Sequence, residues 1–139
     1  MSTPKEPLQT AEASARQFHQ HLLKQYIQAV QQQPPFILDD CEPEWLEYLN
    51  ELEALPHLQE PNYSAQGQTL LCRSIAALPH LTPLIPRDLL WHFGGDCLHY
   101  MPDEEITVFQ QLDERCHEAQ AQGLAFNYED ERAKLLGLH

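Results

Sequence analysis

Apolar residues recur at helical spacing along most of the chain, and no segment sustains the period-two alternation of a half-buried strand. From Thr10 as N-cap to about Gln33, Ala11, Phe18, Leu22, Leu23, Tyr26, Ala29 and Val30 share one broad face. His19 falls within that face. It reads as a hydrogen-bonded core residue before it reads as a ligand, since a buried imidazole is satisfied by one or two partners. Pro34-Pro35 forbids continuation. A second helix begins near Pro43, where proline fits the first turn and Glu44 complements the helix dipole. Trp45, Tyr48, Leu49, Leu52 and Leu55 form its inward stripe, Glu47, Asn50 and Glu51 project outward, and Pro56 stops it.

A third helix, roughly Ala65 to Leu78, turns Leu71, Ile75 and Leu78 inward and stops at Pro79. Another begins at Pro86. A long helix from Pro102 to about Gln122 carries Ile106, Phe109, Leu112, Cys116 and Ala119 at helical spacing and ends at Gly123. The last runs from about Tyr128 to Leu136 between an Asn127 cap and Gly137. The pattern predicts an all-α fold, a single-domain bundle of five or six helices with Pro-rich connections. Residues 1–8 form a loose tail and residues 9–139 the domain.

The second and third helices end in the same words, A-L-P-H-L at 54–58 and again at 77–81. The alignment fails upstream, so this echo reads as a reused helix stop rather than a solenoid repeat. In both, proline ends the helix, the histidine sits in the terminal turn, and the following leucine is expected to return to the core.

Eight Lys and Arg against twenty-one Asp and Glu give a formal net charge of −13, a field that repels a phosphate backbone and excludes nucleic acid as the expected partner. It attracts a basic protein surface, although acids on helix faces also serve solubility alone. No window approaches the roughly 18 apolar residues that cross a bilayer, and M-S-T-P-K-E-P-L-Q-T lacks the apolar run of a leader, so no membrane partner is expected. Cys41, Cys72, Cys97 and Cys116 are unevenly spaced without a C-x-x-C pair, which argues against a zinc ribbon and for free thiols in a cytoplasmic setting.

The densest chemistry lies in P-R-D-L-L-W-H-F-G-G-D-C-L-H-Y-M-P-D-E-E-I, residues 86–106. If the helix from Pro86 runs through Gly94-Gly95, then Asp88, His92, Asp96 and His99 line one face. His92, Asp96 and His99 are then spaced to meet around one divalent metal cation, with water or a fourth ligand completing the set. If the glycines are a turn, Asp96 is a cap and the same residues are solvated. A second acid-x-x-His pair, Glu114 and His117, lies about 160° and 100° from the centre of its helix's apolar stripe, so it faces solvent and not a di-metal core. There is no G-x-S-x-G, no glycine-rich phosphate loop and no H-E-x-x-H, and the balance is against an enzyme.

The functional expectation is a non-enzymatic helical protein with no required cofactor, acting by protein-protein interaction as an adaptor, regulator or inhibitor of a basic partner. Glu44, Glu47 and Glu51 supply the acidic face and Trp91 an apolar anchor. The competing class is a metal-binding protein using His92, Asp96 and His99.

Overall fold

The structure, a computed structural model, describes residues 10–137; the expected N-terminal tail, residues 1–8, lies outside the described residues. The fold is all-α. Among the described residues six α-helices follow in order: α1 Ala11–Gln31, α2 Pro43–Ala54, α3 Asn62–Ala77, α4 Arg87–Phe93, α5 Asp103–Gln122 and α6 Tyr128–Leu136. Short 3-10 segments, Leu55–His57, Pro79–Leu84 and Gly95–Tyr100, stand between them, and no strand occurs among the described residues. No helix is long and apolar enough to cross a membrane among the described residues.

Local chemistry sets the helix ends. Ala13 N–H donates to Thr10 Oγ1 at 3.1 Å, the bond an N-cap threonine supplies. α1 stops at Gln31 rather than near Gln33, because the amides of Gln32 and Gln33 tighten onto the carbonyls of Ala29 and Val30 just ahead of Pro34. α3 starts at Asn62 instead of Ala65, with Tyr63 N–H bonded to Gln59 O, and so Tyr63 is carried on the helix. At the other end of the chain, Asp130 N–H donates to Asn127 Oδ1 at 2.9 Å, and Gly137 closes α6 in the left-handed conformation.

The chain divides into two compact units, crossing from one to the other within α1, after Phe18, and within α5, after Ile106. In the first, Ala11, Ser14, Phe109, Leu112, Cys116, Ala119 and Tyr128 are buried. Ser14 Oγ accepts from Tyr128 N–H at 3.0 Å, Phe18 lies against Tyr128 with ring centres 5.5 Å apart, and the Arg132 guanidinium sits 5.2 Å from the Phe18 ring. Glu114 and His117 are exposed, as the stripe of their helix requires.

The second unit, residues 19–106, holds the larger core. The expected stripes meet there: Leu23, Tyr26 and Val30 of α1, Tyr48 and Leu52 of α2, and Leu71 and Leu78 at α3 and its end are buried, while Trp45, Leu49 and Ile75 are half-buried; Leu70 of α3 and Leu89, Leu90 and Phe93 of α4 join the core. Two buried phenols are satisfied internally. Tyr48 donates to Leu70 O at 2.8 Å, and Tyr26 to Ser74 Oγ at 3.5 Å. Burial pushes both phenols above the usual tyrosine range.

The two A-L-P-H-L segments turn alike and pack differently. Each passes into a 3-10 turn, with Leu58 N–H on Leu55 O and Leu81 N–H on Leu78 O. Leu81 is fully buried as expected, whereas Leu58 remains 37% exposed, so the shared words encode the turn and not the packing.

Candidate functional site

The Gly94-Gly95 pair is a turn. α4 ends at Phe93, and Gly94 (φ 67°, ψ −149°) and Gly95 (φ 55°) adopt positive-φ backbone that side-chain-bearing residues rarely take. Leu90 O and Gly94 O accept from the amides of Gly94 and Cys97, carrying the chain from α4 into the 3-10 segment. The side chain of Gln68, on α3, donates to Phe93 O at 2.8 Å and satisfies the end of α4. Phe93 itself lies where a side chain at position 67 would be: a Cβ on Gly67 would overlap the ring. A mid-helix glycine that costs α3 about 1 kcal/mol thus admits the aromatic ring against its backbone.

The turn separates the three residues that a continuous helix would align. His92 faces α1 and α3: its Nε2 is hydrogen-bonded to the Tyr63 hydroxyl at 2.9 Å, and its ring stacks on His19 with centres 4.3 Å apart and planes 13° from parallel. Burial pushes the His92 imidazole down to about 4, against a smaller upward pull from Glu60, so it is neutral at pH 7. Burial, with Glu60 adding to it, pushes the Tyr63 phenol up to about 12, so it remains protonated. Asp96 and His99 lie beyond the turn, with side chains 89% and 80% exposed and a closest approach of 3.9 Å. Among the described residues, no group of three or more His, Cys, Asp and Glu is gathered so as to hold a metal ion. The physical reason at this stretch is the backbone: positive φ at two consecutive glycines ends the regular rotation on which the His92, Asp96 and His99 alignment depended.

His19, read from the sequence as a core histidine, is 6% exposed and forms half of the stack. Tyr63, Gly67 and Gln68 were not singled out by pattern. Only Gly67 carried a signal, as an isolated glycine inside a helical stretch. Among the described residues no buried side-chain nitrogen or oxygen lacks a hydrogen-bond partner, so the histidine pair is a satisfied polar cluster that braces α1, α3 and α4.

The expected partner-binding residues fall in two places. Trp91, on α4, is half-buried and engaged within the protein. Glu44 pairs with Arg73 at 3.0 Å, and that guanidinium lies 5.2 Å from the Trp45 ring and 5.4 Å from the Tyr48 ring. Glu47 is exposed and Glu51 half-buried. Beside them is a feature that pattern reading did not give. Phe36 is buried against Trp45 and Tyr48, ring centres 6.3 and 5.9 Å away, and this seats the segment after α1 at the start of α2. Its neighbours Ile37 and Leu38, and Leu46 next to Trp45, remain 53%, 48% and 46% exposed. They sit in a stretch of pure negative charge: between Lys24 and Arg73 the chain carries eight Asp and Glu and no Lys or Arg. Asp39, Asp40, Glu42 and Glu47, flanking the exposed apolar side chains in sequence, are themselves exposed.

The PA2817-like family matches residues 11–139 of the chain. No curated protein and no solved structure matches it.

Proposed function

The chain belongs to the PA2817-like family, and we propose that it acts by protein-protein interaction, through the acidic, apolar-centred surface at the start of α2. The observation that carries this reading is the exposure of Ile37, Leu38 and Leu46 inside a stretch whose only formal charges are negative. Apolar anchors supply affinity when a partner covers them, and the surrounding carboxylates steer and select a basic partner. Asp39, Asp40, Glu42 and Glu47 are the open acids of this surface, whereas Glu44 is occupied by Arg73. The partner is therefore a protein segment with lysines or arginines flanking an apolar centre. A cytoplasmic setting belongs to the same proposal, supported by four free thiols. A metal-binding role on His92, Asp96 and His99 has no comparable support, since only Asp96 and His99 approach each other.

Affinity capture with the purified chain, followed by titration of the recovered partner at low and high salt, tests the proposal. Binding that weakens with salt and falls at least roughly tenfold in an Ile37→Ser/Leu46→Ser double variant is the expected outcome. Binding unchanged by both the salt and the double variant refutes the surface assigned here.

A further inference from the structure

We propose that Cys72 and Cys97 form a peroxide-oxidised thiol pair that closes reversibly into a disulfide. Their Sγ atoms are 3.7 Å apart, a contact from which side-chain rotation and a small shift of either backbone reach the bonded separation of about 2.05 Å. Both are free thiols in the second unit, one on α3 and the other in the 3-10 segment that follows the glycine turn. That segment is short and begins at glycine, the residue whose backbone adjusts at the least steric cost. Cys97 Sγ also faces Gln68 O at 3.9 Å, one helical turn before Cys72, which holds the sulfur over α3. The other two thiols lie elsewhere: Cys41 Sγ faces Glu42 O, and Cys116 is buried in the first unit.

Access orders the chemistry. Cys97 is fully buried, whereas Cys72 is half-buried and meets solvent, so Cys72 is the sulfur that encounters a hydroperoxide. Its thiolate attacks the peroxide oxygen. The O–O bond breaks, a Cys72 sulfenic acid forms, and the departing oxygen leaves as water or an alcohol with one proton. Cys97 sulfur then attacks Cys72 sulfur. The S–S bond forms as the S–O bond breaks, and the released hydroxide takes the Cys97 proton and leaves as water. Two thiols give up two electrons and two protons, and the peroxide is reduced by the same two electrons. A small dithiol reverses the bond by exchange. The closed form ties the 3-10 segment covalently to α3, beside the Gln68 bond to Phe93 O that already joins α3 to the end of α4.

The test uses the full chain treated with hydrogen peroxide at near-stoichiometric amounts, blocked with an alkylating agent and digested without reduction for peptide mass spectrometry. A Cys72–Cys97 linked peptide is expected, together with a thermal midpoint raised by about 10 °C, both reversed by dithiothreitol. Neither change is expected in Cys72→Ser. Oxidation of Cys72 to the sulfinic acid without a link, or a link from either residue to Cys41, Cys116 or a second chain, overturns the proposal. Because the mapping is read on the unmutated protein, it stands whether or not the serine variant folds.

Discussion

His92 and His99 stand on either side of one glycine turn and occupy opposite physical worlds. His92 is stacked on His19, bonded to Tyr63 and held neutral by burial. His99 is four-fifths exposed, with Asp96 as a loose neighbour. Both belong to the stretch richest in potential ligands, and neither the residue type nor its acidic neighbours decides its role. What decides it is which partners the backbone brings from elsewhere: Tyr63 from α3 and His19 from α1 for one, water for the other. A dense polar motif is therefore a statement about composition until the turn inside it is known.

The largest effect that breaks this comparison is acidification. The folded-state value of His92, about 4, lies below its ordinary 6.5. Above pH 6.5 the ring is neutral in folded and unfolded chains alike and adds no pH dependence. Between 6.5 and 4 the unfolded chain binds a proton that the folded chain refuses, so stability falls as the pH falls, and the loss levels off below 4. Its full extent is about 3 kcal/mol. Urea unfolding of the wild type and of His92→Leu at pH 7 and pH 4.5 isolates this contribution from that of the carboxylates. The variant is expected to lose about 2–3 kcal/mol less stability than the wild type across that interval. Parallel losses in the two proteins sink the assignment.

A smaller effect comes from the turn itself. At φ 67° and ψ −149°, Gly94 occupies backbone space that is essentially closed to other residues. Gly94→Ala is expected to destabilise the protein by roughly 1–3 kcal/mol in the same unfolding measurement, although alanine is the better helix former. A stabilised variant means that α4 can run on through the glycines, and with it the alignment of His92, Asp96 and His99 returns.

The helices and their stripes were legible because burial repeats with the period of the helix, as Tyr48 and Leu52 of α2 and Phe109, Leu112 and Cys116 of α5 demonstrate. Thr10 and Asn127 were legible as helix starts and Gly137 as a stop for local reasons. The turn was one of two readings left open, because glycine permits a positive φ without demanding it. The histidine stack was out of reach: it needs Tyr63 and His19, distant in sequence, and a ring seated on Gly67. So was the exposure of Ile37, Leu38 and Leu46, since an apolar residue carries no mark that distinguishes a core position from a contact surface. The paired A-L-P-H-L segments make the same point, with one leucine buried and the other exposed.

The smallest expected effect sharpens the comparison from the exposed side. Asp96 and His99 approach only to 3.9 Å, and both side chains are largely hydrated, so their attraction is screened and holding two side chains together costs rotamer entropy. Asp96→Ala and His99→Ala are each expected to change unfolding stability by no more than about 0.5 kcal/mol. The same variants probe the pair's capacity for a cation. Two donors at a solvated surface leave a divalent ion mostly to water, so added zinc should leave the thermal midpoints of the tag-free wild type and of both variants unchanged. A zinc-dependent rise in the wild type that disappears in His99→Ala reverses the reading, because a third donor must then join the pair, and His92 can do so only by leaving Tyr63 and His19.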